Sequence, residues 1–245
     1  MLFKKIYFAK EKKLKIYERF RYGIFDCDGT LIDSIPTYNK LLIELLKKKY
    51  KIPIKNKEKF TENFGEGISF KEILLNILQN KAPRLIAKIE SMMVVFFEHA
   101  DKQINYQLFP NTEQTLDAMF KKGMTLFIST ACVNHVVNKK TRDIKHFFKY
   151  IMSSEKIPKS AAHIEKFIEL TGDTKEEFCK RAFFVGDTKK DMEIAKECGI
   201  YAIGITNTVS AEKLKMFGAN AIIKDLSELL EMKFPESIFD TDIFR

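Results

Sequence analysis

Short uninterrupted apolar runs alternate with stretches of helical periodicity along much of this chain. Residues 22–25, 124–128, 150–152, 182–185 and 201–205 are the runs that read as strands. They lack the polar alternation of half-exposed strands, as expected of parallel strands covered on both faces. Helical spacing fills the intervals. At 112–122, Leu116, Met119 and Phe120 share an inward side ahead of Gly123, and further helices are predicted at 160–170, ahead of Gly172, and at 190–198, ahead of Gly199. Strand alternating with helix predicts an α/β fold, a Rossmann-like doubly wound parallel sheet.

Residues 35–109 break that rhythm, with helical spacing and no convincing strand. Pro36 opens a stretch with Leu42, Leu45 and Leu46 on one side. Pro83 opens another, in which Leu85, Ile86, Ile89, Met92, Met93, Phe96 and Phe97 recur at i, i+3 and i+4. This interval reads as an inserted all-helical cap whose Met and Phe stripe packs as core. The predicted organisation is a basic extension at 1–21, a Rossmann-like core at 22–34 and 110–232, the helical cap at 35–109 and a tail at 233–245.

Composition narrows the class. The chain has 245 residues, 45% of them apolar, which is enough for a full core and argues against disorder. No apolar run approaches the roughly 20 residues needed to cross a bilayer. Lysines interrupt the apolar residues of the first 20 positions, which lack the apolar stretch of a secretory signal. Cys27, Cys132, Cys179 and Cys198 are widely spaced, without a C-x-x-C, so neither a zinc site nor a disulfide framework is read from them. Reduced thiols and a cytoplasmic location are expected. The balance of 42 Lys and Arg against 33 Asp and Glu gives a net charge of +9. That is compatible with anionic partners in general, but in a Lys-rich chain solubility is the preferred reading, so no nucleic-acid partner is expected.

The candidate chemistry lies at strand ends. The first strand runs into Asp26-Cys27-Asp28-Gly29-Thr30, with two carboxylates two residues apart at the carboxyl edge of the sheet, where open α/β folds bind ligands. Like charges held that close repel unless a cation lies between them. The run at 182–185 leads into Gly186-Asp187, with Asp191 four residues on at the opening of the next helix. Carboxylates converging on one edge suit a hard divalent cation such as Mg²⁺. Ser129 and Thr130 end another strand with a hydroxyl and free backbone N–H groups. Lys159 stands just before a helix whose positive end favours an anion.

In that order, D-x-D-G-T, apolar-Ser, Lys and G-D-x-x-x-D, the chain resembles the haloacid dehalogenase superfamily from residue 22 to about 230. The insert resembles the helical cap of the subfamily containing phosphoglycolate phosphatase and β-phosphoglucomutase. The third motif departs from the pattern, Ser160 following Lys159 where the family often has Pro, and Lys156 lies close by. The resemblance implies a Mg²⁺-dependent phosphatase acting on a small phosphorylated metabolite. Asp26 would be the nucleophile, forming an aspartyl-phosphate. Asp26, the Asp28 backbone carbonyl and Asp187 would hold Mg²⁺. Asp28 would be general acid and then base. Ser129, the Thr130 N–H and Lys159 would bind the phosphoryl oxygens. Asp191 would orient Lys159 or a metal-bound water. Asp28 sets the chain apart from the superfamily's dehalogenases and phosphonatases, which lack an acid there.

Two other readings stand beside this one: a phosphosugar mutase of the β-phosphoglucomutase type, and a non-catalytic phosphate-binding regulator, against which the complete acid set argues. Cys27 reads as an apolar filler between the two aspartates, Arg84 as a solvated residue and the turn at 64–69 as a helix connection. His99, His135, His146 and His163 show no metal-ligand spacing.

Overall fold

The computed structural model describes residues 13–68, 70–79 and 83–235. Residues 1–12 of the predicted extension, 236–245 of the predicted tail and Ser69 of the predicted cap turn lie outside the described residues. So do the side chains of Met93, Phe97 and His99.

Six parallel strands build the central sheet: β2 (Tyr22–Phe25), β3 (Thr125–Ser129), β4 (Phe148–Met152), β5 (Ala182–Gly186), β6 (Tyr201–Ile205) and β7 (Ala221–Ile223), in the spatial order β4-β3-β2-β5-β6-β7. From β2 the chain winds outward through β3 and β4. It then returns to the other flank of β2 and winds outward again through β5, β6 and β7. That reversal opens a crevice beyond the carboxyl ends of β2, β3 and β5, because the connections on either side lead away in opposite directions. β1 (Lys13–Lys15) and β8 (Lys233–Pro235) form a separate antiparallel pair, with Leu14 opposite Phe234.

The strands are apolar throughout because both faces are covered. Phe25, Leu126, Ile128, Phe183 and Val185 pack on one side of the sheet; Tyr22, Ile24, Phe127, Phe184 and Ala202 pack on the other. Neighbours in sequence thus serve opposite cores, as the two-residue period of a strand requires. Tyr22 stacks on Phe178 and Phe127 on Phe167, each with ring centroids 4.5 Å apart. Burying such a side chain is worth about 1.5–3 kcal/mol relative to leaving it exposed.

Helix α1 (Ile16–Arg19) precedes β2, and α2 (Ile35–Tyr50), α3 (Lys57–Gly65), α4 (Phe70–Ile77) and α5 (Pro83–Gln103) follow it. Next come α6 (Thr112–Lys121), α7 (Asn134–Lys140), α8 (Ala161–Thr171), α9 (Lys175–Lys180), α10 (Lys189–Cys198), α11 (Ala211–Met216) and α12 (Glu228–Glu231). Helices α2 to α5 bury a core of their own, with Leu42, Leu46, Phe60, Ile73, Leu74, Ile86 and Ile89 in one cluster. Leu85 and Phe96 of the predicted stripe pack partly against it.

The structure departs from the expected elements in several places. Phe120 is not inward with Leu116 and Met119: it is 49% exposed and meets Phe147 edge-on at the flank of α6. β7 is a three-residue run, too short to stand out from its surroundings in the sequence. Lys233–Pro235 belong to a strand rather than a tail, and the segment before β2 is anchored through Ile16 and Phe20, both buried, with Phe234 edge-on to Phe20. Among the described residues, no helix is long and apolar enough to cross a membrane.

One polar contact ties α3 to the sheet domain. The Lys213 ammonium of α11 reaches Glu62 at 2.6 Å and Glu66 at 2.5 Å, and Lys59 joins the same two acids from within α3. The three side chains are partly exposed, so salt screens the contact. If the contact holds α3 over the crevice, Lys213→Ala raises KM about two- to fivefold at low ionic strength. The difference from wild type fades as salt is added. A variant whose KM matches wild type at every salt concentration removes the contact from any role in closure.

Candidate active site

Two adjacent strands deliver the first two acids at one level. Asp26 directly follows β2, and its N–H still donates to the Val185 carbonyl of β5 at 2.9 Å. Asp187 directly follows β5. Two glycines make the approach possible. Gly29 turns the chain with φ +78°, and a Cβ there would lie 2.1 Å from Asp187 Oδ2, so both its conformation and its missing side chain are required. A Cβ on Gly186 would fall 2.3 Å from Asp191 Cγ, so β5 passes under α10 only as glycine. Asp191 sits in the first turn of α10. Its Oδ2 accepts from the Thr188 N–H at 3.0 Å and from the Thr188 hydroxyl at 2.5 Å, a capping box that fixes the carboxylate.

Asp26, Asp187 and Asp191 are all buried, and each offers an oxygen within 4.8 Å of the others. Lys159, its side chain 8% exposed, comes from the loop before α8 and lies 2.6 Å from Asp26 Oδ1 and 2.5 Å from Asp191 Oδ1. Lys156 is exposed, so geometry selects Lys159 of the two neighbouring lysines. Burial pushes the Asp26 carboxyl up to about 7; the Lys159 charge opposes this and the Asp191 charge adds to it. Asp187 is raised well above the usual carboxylate range, first by burial and then by the charges of Asp26 and Asp191. It is raised even though the hydroxyls of Thr30, at 2.9 Å, and Thr208 donate to it. Three acids against one ammonium make a buried oxygen-rich site that carries two net negative charges once all three are ionised, a state that burial and mutual repulsion disfavour without a further cation. That donor set fits a hard divalent cation such as Mg²⁺.

Beside these acids opens a cavity of about 560 Å³, lined from the sheet side by Asp28, Lys140, Asp187 and Thr208 and from the helical insert by Tyr38 and Phe64. Residues 23–205 match the haloacid dehalogenase-like hydrolase family over well more than half of the chain. The chain belongs to that family. Phosphoglycolate phosphatase of Pseudomonas putida is 24% identical over 223 residues, covering 86% of this chain and 78% of the relative. Its counterpart from Haemophilus influenzae is 26% identical over 220 residues, covering 77% and 86%. A haloacid dehalogenase-like hydrolase of Streptococcus pneumoniae shares the fold, with a TM-score of 0.70 at 20% identity over 87% of this chain and 98% of that one.

Asp28 of this hydrolase turns away from the other acids, toward α7. Lys140 lies 2.6 Å from its Oδ1 and 2.8 Å from its Oδ2, with the ammonium 4.9 Å above the rings of both Tyr38 and Tyr106. The Cys132 thiol donates to Oδ2 at 2.8 Å, and the Ser34 hydroxyl donates to Oδ1. Burial by itself would raise the Asp28 carboxyl; Lys140 and these donors outweigh it and hold the group below the usual carboxylate range. The same neighbourhood, burial first and then the Asp28 charge, pushes the Cys132 thiol up to about 12 and keeps it protonated.

Ser129 ends β3 fully buried, its hydroxyl 2.9 Å from His163 Nδ1. One expectation is corrected. The Thr130 N–H, read from the sequence as a free donor for phosphate, donates instead to the Met152 carbonyl of β4 at 3.0 Å, because pairing between β3 and β4 continues one residue past the strand. Cys27 is fully buried in the core, while Arg84 and His135 are exposed. Sequence reasoning missed Thr30, Ser34, Cys132, Lys140, His163 and Thr208 as partners of the site. Apart from Thr30, which closes the D-x-D-G-T motif, none carries a local signature: Lys140 follows Lys139 in a run that looks solvated, and its partner Asp28 is 112 residues away.

Proposed function

We propose that this hydrolase is a Mg²⁺-dependent phosphatase that cleaves a small phosphorylated metabolite through an aspartyl-phosphate on Asp26. The observation that carries the reading is the buried set of Asp26, Asp187 and Asp191 around Lys159, at the carboxyl ends of the central strands. The curated relatives named phosphoglycolate phosphatase support phosphate-ester chemistry and make phosphoglycolate the first compound to test.

Asp26, Asp187 and the Asp28 backbone carbonyl would hold the cation, which supplies neutralisation of the phosphate charge when bound. Lys159 favours the ionised form of Asp26 against its burial and fixes one of its oxygens, and its ammonium would meet a phosphoryl oxygen. An Asp26 oxygen attacks phosphorus, the bond from phosphorus to the ester oxygen breaks, and that oxygen receives a proton. Water then attacks phosphorus, giving up a proton to Asp28; the bond from phosphorus to the Asp26 oxygen breaks, inorganic phosphate leaves and the Asp26 carboxylate is regenerated. Held ionised by Lys140, Asp28 is ready as the base of this second step. To protonate a leaving alkoxide in the first, it must take up a proton and loosen from Lys140.

Phosphate release from p-nitrophenyl phosphate, followed by a screen of phosphorylated metabolites, tests the reading. Chelation is expected to remove activity and Mg²⁺ to restore it. Activity that survives exhaustive chelation sinks the metal assignment. A mutase would instead isomerise sugar phosphates while releasing little phosphate. Four free cysteines support a reducing, cytoplasmic location.

A further inference from the structure

His163 lies in the first turn of α8, fully buried, and its ring bridges two groups. Nδ1 is 2.9 Å from Ser129 Oγ, and Nε2 is 2.9 Å from the Ile157 carbonyl. A carbonyl oxygen only accepts, so Nε2 carries a hydrogen. In the neutral ring Nδ1 is then an acceptor, and its bond to Ser129 runs one way: the serine hydroxyl donates. Serine has one such hydrogen. With it turned toward His163, Ser129 offers only lone pairs to the crevice, and lone pairs repel the oxygens of a phosphate dianion. The buried imidazolium reverses this. Its Nδ1–H donates to Ser129 Oγ while its Nε2–H still serves Ile157, and the serine hydrogen is released toward the anion.

We propose that His163 is a positioning residue that sets the hydrogen-bond polarity of Ser129, so that binding of a tetrahedral dianion draws one proton onto the His163 ring. The inference rests on the reading of the crevice as a phosphoryl site. The only bond made is N–H on Nδ1, with the proton taken from solvent. In the free protein the ring is neutral at pH 7: burial lowers its pKa and the Lys159 charge lowers it further, against the opposing effect of the Ile157 carbonyl. Lys159, from the loop before α8, is the charged group that bears on the ring, and it is itself held between Asp26 after β2 and Asp191 on α10. β3 faces the ring with the uncharged Ser129. An incoming anion beside Ser129 adds negative charge and so raises the affinity of the ring for a proton.

Sulfate is a suitable probe, being a tetrahedral dianion that does not titrate near neutrality. Its dissociation constant for the Mg²⁺-loaded protein is measured between pH 6 and 9, with calorimetry in two buffers of different ionisation enthalpy, and phosphate release is assayed on the same preparation. Wild type is expected to lose about tenfold in sulfate affinity per pH unit on the alkaline side, the slope for one linked proton, and to take up close to one proton per sulfate. His163→Asn presents an amide N–H to Ser129 that does not titrate, so its sulfate affinity should be flat across the range. A wild type that turns over substrate yet binds sulfate without proton uptake overturns the inference and leaves the phosphatase reading standing. The same slope in His163→Asn as in wild type also overturns it. Absence of both turnover and sulfate binding removes the phosphoryl site itself, and this inference with it. Should His163→Asn fail to fold, the imidazole nitrogen NMR shifts of wild type with and without sulfate decide, because Asp26, raised to about 7, could take up the proton instead: a ring that stays neutral with sulfate bound overturns the inference.

Discussion

Asp26→Asn is expected to lower phosphate release by about 10⁴-fold or more while leaving the fold intact, since a nucleophile has no substitute in the pathway it begins. The amide is nearly isosteric and still accepts from Lys159. Acid quenching of wild type with labelled substrate should trap phosphate on the protein, and the variant should trap none. Stability should move the other way. The Asp26 carboxyl is raised to about 7 in the metal-free fold, so over the range between the usual carboxylate value and 7 the folded chain binds more protons than the unfolded one. Stability of the metal-free protein therefore falls as pH rises through that range. Asp26→Asn removes this contribution to the slope, and the metal-free variant should melt at a higher temperature than wild type at pH 8. It should also gain less from Mg²⁺. A variant that turns over at a rate near wild type ends the nucleophile assignment, whatever its stability.

The second large effect is expected at Lys140. Lys140→Met takes away the buried cation that is paired with both Asp28 oxygens and leaves a largely buried carboxylate with only the Ser34 hydroxyl and the Cys132 thiol to donate to it. Breaking a buried pair from one side costs about 3–5 kcal/mol, which urea unfolding at pH 7 would register directly. The sign with pH follows from Asp28, which is held below the usual carboxylate range in the fold. The stabilisation by this pair is present above the unfolded-state value and is lost as pH falls below it, so the gap between variant and wild type should narrow in acid. Adding Asp28→Asn to Lys140→Met removes the orphaned charge and should recover a large part of the loss. If the double variant is no more stable than Lys140→Met alone, the pair is not what the lysine contributes. Activity offers a separate readout, because Asp28 without Lys140 is more readily protonated: dephosphorylation of the aspartyl-phosphate should slow, and the phosphorylated form should accumulate.

The parts of the site legible in the sequence are those that covalent neighbourhood dictates. Asp26 and Asp28 sit two positions apart after a strand, Asp187 follows an apolar run through Gly186, and Asp191 stands in the first turn of a helix whose N-cap it closes. Each arrangement is made within a few residues, so spacing and residue type are enough to find it. Lys159 lies at the margin of this group. Its place before α8 is local, but its preference over Lys156 depends on which side chain the loop turns inward. The orientation of Asp28 was not legible, because the residues that hold it, Ser34, Cys132 and Lys140, come from α2's N-cap, the loop after β3 and the end of α7. The Thr130 amide was misjudged for a related reason: a strand end looks free in sequence, and only the neighbouring strand decides whether pairing goes on.

What the chain determined alone is therefore the class of fold and the acids at its centre, through periodicity that separates buried strands from helices and through turns that only glycine makes. Tertiary structure decided how those acids are charged. Desolvation, the reach of Lys140 and Lys159, the hydroxyls on Asp187 and the ring behind Ser129 all depend on distances between segments far apart in sequence, and electrostatic energies in a buried site follow distance and burial rather than order along the backbone.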